Sequence, residues 1–267
     1  MMVMFYNGKP FYTFFVALQT IKMTIIPLSE GSFTIDKTKQ FVPFNPEQDD
    51  LQDRSSGSLL VEVQPFCIIT DKDVILLDTG LGFTINGQLQ LHKNLLDNGI
   101  PPERVTKVLM SHLHKDHAGG ISYLVDGEPT LSFENATYFV HHQEFEVARQ
   151  QGFPSFIWEE ISLLENHVQL VLLPDEGAID GYIKHQVTHA HSPQHQVFWI
   201  EEDGETIFFG GDDAPQLKQM KNKFVAKYDF DGKKCMQLRQ QWWQQGATDK
   251  WKFLFYHDIE TPIATNF

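Results

Sequence analysis

The chain has 267 residues, of which 42% are apolar, so it is long enough to bury one large core or two small ones. The formal net charge of −14 argues against a nucleic-acid partner, because an acidic surface repels phosphate backbones. The two cysteines, Cys67 and Cys235, are too few and too far apart for a disulfide framework or a cysteine-based zinc site. We expect both to be buried thiols.

The N-terminal segment contains a short apolar run, Phe11–Leu18, which does not reach the length needed to span a bilayer. No clear cleavage site follows this run, so we interpret residues 1–23 as an N-terminal extension or an extra strand. Residues 24–267 are expected to form one domain, with Met23 as an alternative start of translation. Because no spanning segment is found, we expect a cytoplasmic protein without a membrane partner.

Strands and helices alternate along the rest of the chain. Residues 38–58 are polar and are interrupted by Pro43, Pro46 and Gly57, which predicts a long loop. The mixture of strands and helices in both halves favours an α/β sandwich with its helices outside. Runs of β-forming residues predict strands over residues 59–63, 67–70, 73–77, 105–110, 137–140, 168–173, 183–188, 196–200, 206–209 and 253–256. Apolar spacing and stop signals predict helices over residues 88–98, 142–149 and 231–245.

The strongest functional signal is the segment Ser111–His117, which follows a predicted apolar strand. Residues i and i+2 of an extended segment point the same way, so His112 and His114 can bind one metal ion together. Asp116 and His117 come where the chain turns, so they can face a second ion. A surface histidine cluster without metal is the alternative, but four potential ligands at this spacing behind an apolar strand disfavour it.

Four other predicted strands end in polar residues that can bind a metal ion or support a metal ligand. Ligand sites in open α/β sheets lie beyond the carboxyl ends of strands, so we expect these residues to meet Ser111–His117 in one crevice. The residues at these four strand ends are Asp78, His189 with His191, Asp212, and His257 with Asp258.

These segments resemble, in the same order, the motifs of the metallo-β-lactamase superfamily. His112–His117 is similar to the HxHxDH signature, and Thr188–His195 is similar to the TPGHTPGH segment. Gly211-Asp212 resembles the strand-end GD, Asp78 the acidic residue of the DTG turn, and His257 the last histidine ligand. The resemblance covers the chain beyond the N-terminal extension and implies an α/β fold, an αββα sandwich of the metallo-β-lactamase type.

The resemblance also implies a centre of two zinc ions bridged by Asp212 and a hydroxide, with Asp116 and Asp212 as the candidate catalytic residues. Nitrogen and oxygen donors suit zinc, and iron and manganese remain alternatives. The implied ligands are His112, His114 and His191 for the first ion, Asp116, His117 and His257 for the second, and Asp212 for both. The candidates for contacting ligand imidazoles from behind are Asp78, His189 and Asp258, with Asp213 as a further one. Of the three aspartates only Asp78 is favoured, because Asp213 and Asp258 can equally serve in turns or caps.

The implied activity is hydrolysis of a small ester-like substrate, and a lactone of the acyl-homoserine type is the first candidate. Quorum-quenching lactonases of the superfamily resemble the chain in size and in the pair His257-Asp258. Asp212 stands where an antibiotic-hydrolysing branch has a cysteine, which disfavours a β-lactamase. Many of the lactonases have a tyrosine soon after the bridging aspartate, whereas the nearest one here, Tyr228, is distant and receives no role.

Two alternatives to lactone hydrolysis stay open. The first is hydrolysis of a thioester or phosphoester at the same centre, although the acidity of the chain speaks against long nucleic acids. The second is a metal-binding protein without catalysis, which the complete set of ligands disfavours. We expect a small-molecule substrate, and assembly as a homodimer is left open.

Overall fold

The computed structural model describes residues 2–6, 9–13 and 23–265. Near the N-terminus, strands Met2–Tyr6 and Lys9–Thr13 pair antiparallel. The rest of the apolar run predicted to belong to an extension or extra strand, residues 14–18, lies outside the described residues. The division of the chain at residue 23 therefore stays a prediction.

Two six-stranded sheets form the centre of the described structure. In the first sheet, three pairs of neighbouring strands are parallel and two pairs are antiparallel. In the second sheet, every pair of neighbouring strands is antiparallel except one. The spatial order of the first sheet is Leu170–Leu173, Thr137–His141, Lys107–Leu109, Val74–Leu77, Phe66–Ile69 and Thr24–Pro27. The order of the second is Glu176–Ile179, Ile183–Val187, Gln196–Glu202, Glu205–Phe209, Lys252–Leu254 and Ile263–Thr265.

Smaller elements surround the two sheets. A three-stranded sheet consists of Phe41–Pro43, Gly31–Ile35 and Leu59–Val63. Two hairpins pair Ser122–Val125 with Glu128–Leu131 and Thr84–Ile85 with Gln88–Leu89. The helices are Gln90–Asp97, Lys115–Ala118, Glu144–Gln151, Trp158–Ile161, Leu217–Lys221 and Gly232–Asp249, with 3-10 turns at Pro102–Arg104 and Gly211–Asp213.

Alternate residues of the central strands face different layers, because successive side chains of a strand point to opposite faces. Ile75 and Leu77 pack between the two sheets, whereas Val74 and Leu76 pack on the outer side, where helix Gln90–Asp97 covers them. The second sheet shows the same division, with Ile207 and Phe209 between the sheets. On its outer side, Phe208 and Phe253 pack against Trp242 of the longest helix. The resulting order of layers is helix, sheet, sheet, helix, and the predicted αββα sandwich is confirmed.

The predicted strands and helices occur in the structure within a few residues of their expected bounds. The predicted loop over residues 38–58 contains the short edge strand Phe41–Pro43, which pairs with Gly31–Ile35. Sequence patterns also missed the strand Glu176–Ile179 and the short helices, because two to five residues carry too little periodicity to be recognised. Cys67 and Cys235 are free and buried, as predicted.

Candidate metal centre

Seven side chains that come from four separate segments meet at one end of the two sheets. The four segments follow strands of both sheets or lie in the short helical turns directly after them. Each segment therefore leaves its strand at the same rim, as expected for carboxyl ends in an α/β fold. The residues that meet there are His112, His114, Asp116, His117, His191, Asp212 and His257.

A glycine is required where the second sheet delivers Asp212. Gly211 has φ +48°, a left-handed conformation that side chains disfavour. A Cβ at this position would lie 2.7 Å from His195 Nε2 and 2.8 Å from Ser111 Cβ. Only glycine lets the backbone pass this close to Ser111 and His195. Gly211 is therefore required for packing, and Asp212 supplies the carboxylate.

The first group of ligand atoms lies around His114. His112 Nε2 is 2.8 Å from His114 Nδ1, and His191 Nε2 is 3.2 Å from the same atom. Asp212 Oδ2 lies 3.2 Å from His191 Nε2. The four side chains each offer one donor atom within 4.8 Å of the others.

The second group lies on the other side of Asp212. His257 Nε2 is 2.9 Å and His117 Nε2 is 3.1 Å from Asp212 Oδ1. Asp116 Oδ2 is farther from the same two nitrogens, at 3.5 and 3.7 Å. The two oxygens of Asp212 thus face different groups, Oδ2 the first and Oδ1 the second.

Acceptors behind four of the imidazoles determine which ring nitrogen carries a proton. Three of these contacts are His117 Nδ1 to Asp78 Oδ2 at 2.7 Å, His191 Nδ1 to Asp229 Oδ1 at 2.9 Å, and His257 Nδ1 to the Glu62 carbonyl oxygen at 2.6 Å. The fourth joins His112 Nδ1 to the Ser111 hydroxyl, which itself donates to Asp78. Since each acceptor holds the proton on Nδ1, each Nε2 directs a lone pair into the centre.

Ring nitrogens that face each other or a carboxylate at these distances need a proton or a metal ion between them. His117 Nε2 and Asp212 Oδ1 are moreover buried without a hydrogen-bond partner among the described residues. Such orphaned polar atoms are costly, and a metal ion would satisfy both. The residues present therefore fit metal ions on both sides of Asp212, and the set of imidazole and carboxylate donors without thiolate fits zinc.

The pKa values of these groups follow from burial and from one another. Burial and the neighbouring imidazoles hold the pKa of His112 and of His114 well below the usual range, so both rings are neutral at pH 7. Burial opposes ionisation of Asp212, but His257, His117 and His191 outweigh it and hold the pKa of this carboxyl well below its usual range. Burial lowers the pKa of His117 and of His257, but Asp212 and Asp116 outweigh it and raise both values. Neutral imidazole and ionised carboxylate are the forms that bind metal, so metal binding at these two rings displaces a proton.

Asp78 lies behind the candidate ligand His117, a position of the kind that the sequence predicts for it. Its Oδ2 accepts from the His117 ring and the Ser111 hydroxyl, and its Oδ1 accepts from the Ser111 amide at 2.7 Å. Asp78 thereby holds the start of the Ser111–His117 segment, which is called the first motif, and orients His117. The backbone of Asp78 is left-handed, with φ 59°, which shows that the turn is shaped around these contacts.

Among the described residues, His189 and Asp258 form hydrogen bonds to the backbone and not to ligand imidazoles. His189 turns its Nδ1 to the Pro193 carbonyl oxygen within its own loop. Asp258 accepts backbone N–H bonds from Leu217, Glu260 and Thr261, so it caps a turn and orients no ligand imidazole among the described residues. Both residues adjoin ligand segments in sequence, but the chain direction at these turns carries their side chains away.

Two further aspartates support the centre: Asp213, which the sequence offered as a less favoured candidate, and Asp229, which sequence reasoning missed. Asp229, in the loop after helix Leu217–Lys221, contacts His191 Nδ1, although no motif marks it. Asp213 accepts the His191 backbone N–H at 2.7 Å and lies 3.0 Å from His195 Nδ1. Adjacency to Asp212 was the only signal for Asp213, and no sequence signal existed for Asp229, which lies 38 residues from His191.

A cavity of about 690 Å³ opens directly onto the centre. Its walls include Phe41 and Leu60 from the small three-stranded sheet and Phe224 and Tyr228 from the loop before the longest helix. The Tyr228 ring centroid lies 6.3 Å from that of His191, so this tyrosine, distant in sequence, is near the centre in space. Burial, together with Asp229 and Asp212, raises the pKa of Tyr228 to about 12, so its hydroxyl keeps its proton at neutral pH.

A third group of potential ligands lies outside this cavity. It consists of His141, His142 and Asp175, of which the last two are exposed. His141 Nε2 is 3.1 Å from Asp175 Oδ1, and His142 Nδ1 is 3.1 Å from the Leu173 carbonyl oxygen.

No helix among the described residues is both long and apolar enough to cross a membrane.

The family model that describes the metallo-β-lactamase superfamily matches residues 60–238, which is most of the chain. The chain belongs to this superfamily, and it is a metal-dependent hydrolase of it. A curated relative, an N-acyl homoserine lactonase of Bacillus cereus, is 25% identical over 245 residues. The aligned part covers 81% of this chain and 92% of that protein.

Solved structures of similar fold agree with this membership. A probable metal-dependent hydrolase from Staphylococcus aureus superposes with a TM-score of 0.73 at 21% identity, over 91% of this chain and 92% of that one. AidC, a dizinc quorum-quenching lactonase in complex with a product, superposes with a TM-score of 0.69 at 19% identity. That alignment covers 91% of this chain and 90% of AidC. At these identities the likeness shows the fold.

Proposed function

We propose that the chain is a zinc-dependent hydrolase of small ester-like substrates, with acyl-homoserine lactones as the first candidates. The observation that carries the proposal is the position of Asp212, whose two oxygens face two separate groups of imidazoles. A carboxylate in this position can join two metal ions. The B. cereus relative, aligned over most of both chains, is named as a lactonase, which supports the substrate class.

In this proposal two zinc ions divide the seven residues between them. Iron and manganese accept similar donors and are tested beside zinc. The first ion is assigned to His112, His114 and His191, the second to Asp116, His117 and His257, and Asp212 to both.

Zinc supplies Lewis acidity and lowers the pKa of a water that it holds from about 15.7 to near neutrality. The chain supplies the orientation of its donors. Asp78, Asp229 and the Glu62 carbonyl hold protons on the outer ring nitrogens, which keeps the inner nitrogens free for metal. Asp116 Oδ2, which is farther from the imidazoles than Asp212, can orient the nucleophile and accept its proton.

The cavity is suited to a small substrate with an apolar part. A volume of about 690 Å³ falls in the range typical of small-molecule sites. Tyr228 is one of the residues that line this space, and we propose that its protonated hydroxyl donates a hydrogen bond to a substrate carbonyl or leaving oxygen. A small-molecule substrate follows from these dimensions, whereas the exclusion of nucleic acid and the state of assembly stay predictions.

Metal removal and replacement test this function. The protein is stripped with a chelator and reloaded with zinc, iron or manganese, and metal content is measured beside turnover. The panel contains acyl-homoserine lactones of several chain lengths, thioesters and phosphodiesters. We expect two zinc ions per chain and lactone opening that disappears with chelator and returns with zinc.

The panel also separates the alternatives. Metal-dependent turnover of thioesters or phosphodiesters alone would move the substrate class to those compounds. If two ions bind and no member of the panel reacts, the proposed ester-like substrate is wrong. If fewer than two ions bind at saturating zinc, the assignment of the seven ligands is wrong.

A further inference from the structure

The cavity beside the metal centre has a basic lining, although the chain as a whole is acidic. The chain has 35 Asp and Glu residues against 21 Lys and Arg residues. In the cavity, by contrast, the carboxylates are Asp116 and Asp212, which belong to the metal groups, and Asp36. The basic residues of the lining are Lys37, Lys39, Lys115, Lys218 and Lys227.

These ammonium groups lack carboxylate partners in the part of the chain that the structure describes. Other lysines are paired, for example Lys107 with Asp73 and Lys184 with Glu201. No described carboxylate lies within 4 Å of any of the five cavity lysines. The Asp36 carboxylate accepts the backbone and hydroxyl protons of Thr38, so it is engaged in its own turn.

Lys39 and Lys115 lie near the metal groups and near each other. The backbone of Lys39 is left-handed, with φ 60°. Burial is the largest cause that lowers the pKa of His114 and of Lys115, and the charge of Lys39 lowers both slightly further. Lys115 Nζ lies 5.7 Å from the centroid of the Phe41 ring, on the cavity wall. Asp116 and Glu160 attract Lys115 without approaching within 4 Å.

Two like charges held together without an anion cost free energy, and a bound anion removes that cost. The five lysines come from separate parts of the chain: the turn after strand Gly31–Ile35, the first motif, helix Leu217–Lys221 and the loop that follows it. Only the tertiary structure brings them around one opening. A solvated charged surface of a single element would not produce this convergence.

We propose that the substrate of this centre is an amphipathic anion. Its carboxylate or phosphate group binds Lys39 and Lys115, and its apolar part packs on Phe41, Leu60 and Phe224. Lys37, Lys218 and Lys227 at the opening increase the rate of encounter with such a compound. This inference rests on the proposed hydrolysis of ester-like substrates. Because acyl-homoserine lactones carry no charge, it moves the first candidates within that class to esters that bear a carboxylate or a phosphate group.

Binding of three probes to the zinc-loaded protein tests this inference. Octanoate and octyl phosphate carry the two candidate anionic groups on chains with the same number of carbon atoms. Octanamide has the size of octanoate but no charge. Calorimetry gives their Kd values for the wild type, for Lys39→Gln and for the Lys39→Gln/Lys115→Gln double variant. Lys233→Gln on helix Gly232–Asp249 makes the same charge change on an exposed residue outside the cavity lining.

We expect the double variant to bind the preferred anion about tenfold more weakly and Lys39→Gln to fall between it and the wild type. Octanamide binding is expected to stay the same in every variant, and Lys233→Gln to match the wild type for all probes. Whichever of octanoate and octyl phosphate loses more affinity identifies the anion. Zinc content of each variant is measured, because Lys115 adjoins two ligands; Lys39→Gln alone carries the test if the double variant loses metal.

Octanamide that binds as tightly as both anions would overturn the inference, as would unchanged anion binding in both lysine variants. These outcomes are distinguishable from failure of the proposed function. A protein that opens lactones but does not distinguish octanoate from octanamide refutes the inference alone. A protein that binds anions through the lysines but hydrolyses no ester refutes the proposed function alone.

Discussion

Two histidine-rich groups of this protein differ in the direction of their ring nitrogens. In the central group, the Nε2 atoms of His112 and His191 both point at His114 Nδ1, at 2.8 and 3.2 Å. In the outer group, His141 Nε2 faces Asp175, and His142 Nδ1 faces a backbone carbonyl. In the first arrangement ring nitrogens of three histidines face one another, whereas in the second one ring nitrogen of each histidine faces an oxygen atom of the protein.

The comparison shows that histidine content alone does not define a metal site. Both groups place three or more potential ligands within reach of one ion. In the central group, acceptors behind four rings leave the Nε2 atoms directed at the other ligand atoms, and among the residues described only this group lines the cavity. What distinguishes them is the set of contacts on the far side of each imidazole. Variants of the central group, of the cavity and of the outer group test this distinction, from the largest expected effect to the smallest.

Asp212→Ala should remove the carboxylate that joins the two halves of the central group. We expect turnover to fall by at least about a thousandfold and zinc content to fall with it, since nucleophile activation needs the metal. Turnover and bound zinc are measured on the same sample. Circular dichroism confirms that the variant folds, and wild-type turnover in it would refute the bridging role.

Asp229→Asn keeps the size of the side chain behind His191 and removes its charge. We expect zinc affinity to fall about tenfold to a hundredfold, as is typical when a residue behind a ligand imidazole is changed. Competition with a chromophoric chelator measures the affinity. Asp97→Asn, at an exposed aspartate of helix Gln90–Asp97, is the matched control. Equal affinities in the two variants would show that the contact behind His191 does not tune the metal.

Tyr228→Phe removes a hydroxyl from the cavity and leaves the ring. Burial, followed by Asp229 and Asp212, raises the pKa of Tyr228 to about 12, so the wild-type group acts as a donor throughout the neutral range. We expect kcat to fall about tenfold, with zinc content and Tm unchanged. If kcat is unaffected while KM rises, Tyr228 contributes to binding and not to the chemical step.

His142→Ala changes the outer group, whose ring nitrogens already have protein partners. We expect turnover and the number of zinc ions bound at equilibrium to equal those of the wild type. A variant that binds one ion fewer after dialysis would show that the outer group holds metal too. That result would remove the distinction drawn between the two groups.

Much of the centre could be predicted from sequence because its ligands lie in short motifs at strand ends. His112 and His114 share an extended segment, and Asp116 and His117 follow where the chain turns. Local geometry therefore brings these four together whatever the rest of the fold does. Asp78 was also predictable, since it ends a strand that adjoins the first motif in the sheet.

Other contributions depend on contacts between residues that are distant in sequence. Asp229 reaches His191 across a loop without a motif, and Tyr228 enters the cavity from the same loop. His189 and Asp258 adjoin ligands in sequence, yet the direction of the turn places their side chains elsewhere. Neither adjacency nor composition predicts which way a side chain points after a strand ends.

The sequence by itself determined an α/β sandwich with outer helices and the polar strand ends that can bind metal, because these follow from periodicity. The αββα type and the set of seven ligands were implied by the resemblance to the superfamily. The tertiary structure alone decided that Asp212 directs one oxygen to each group of imidazoles. It also decided which acceptors hold the outer ring nitrogens and that five lysines surround one opening. The physical reason is that these are long-range contacts, whose distances are set by the packing of the two sheets and not by any local stretch of chain.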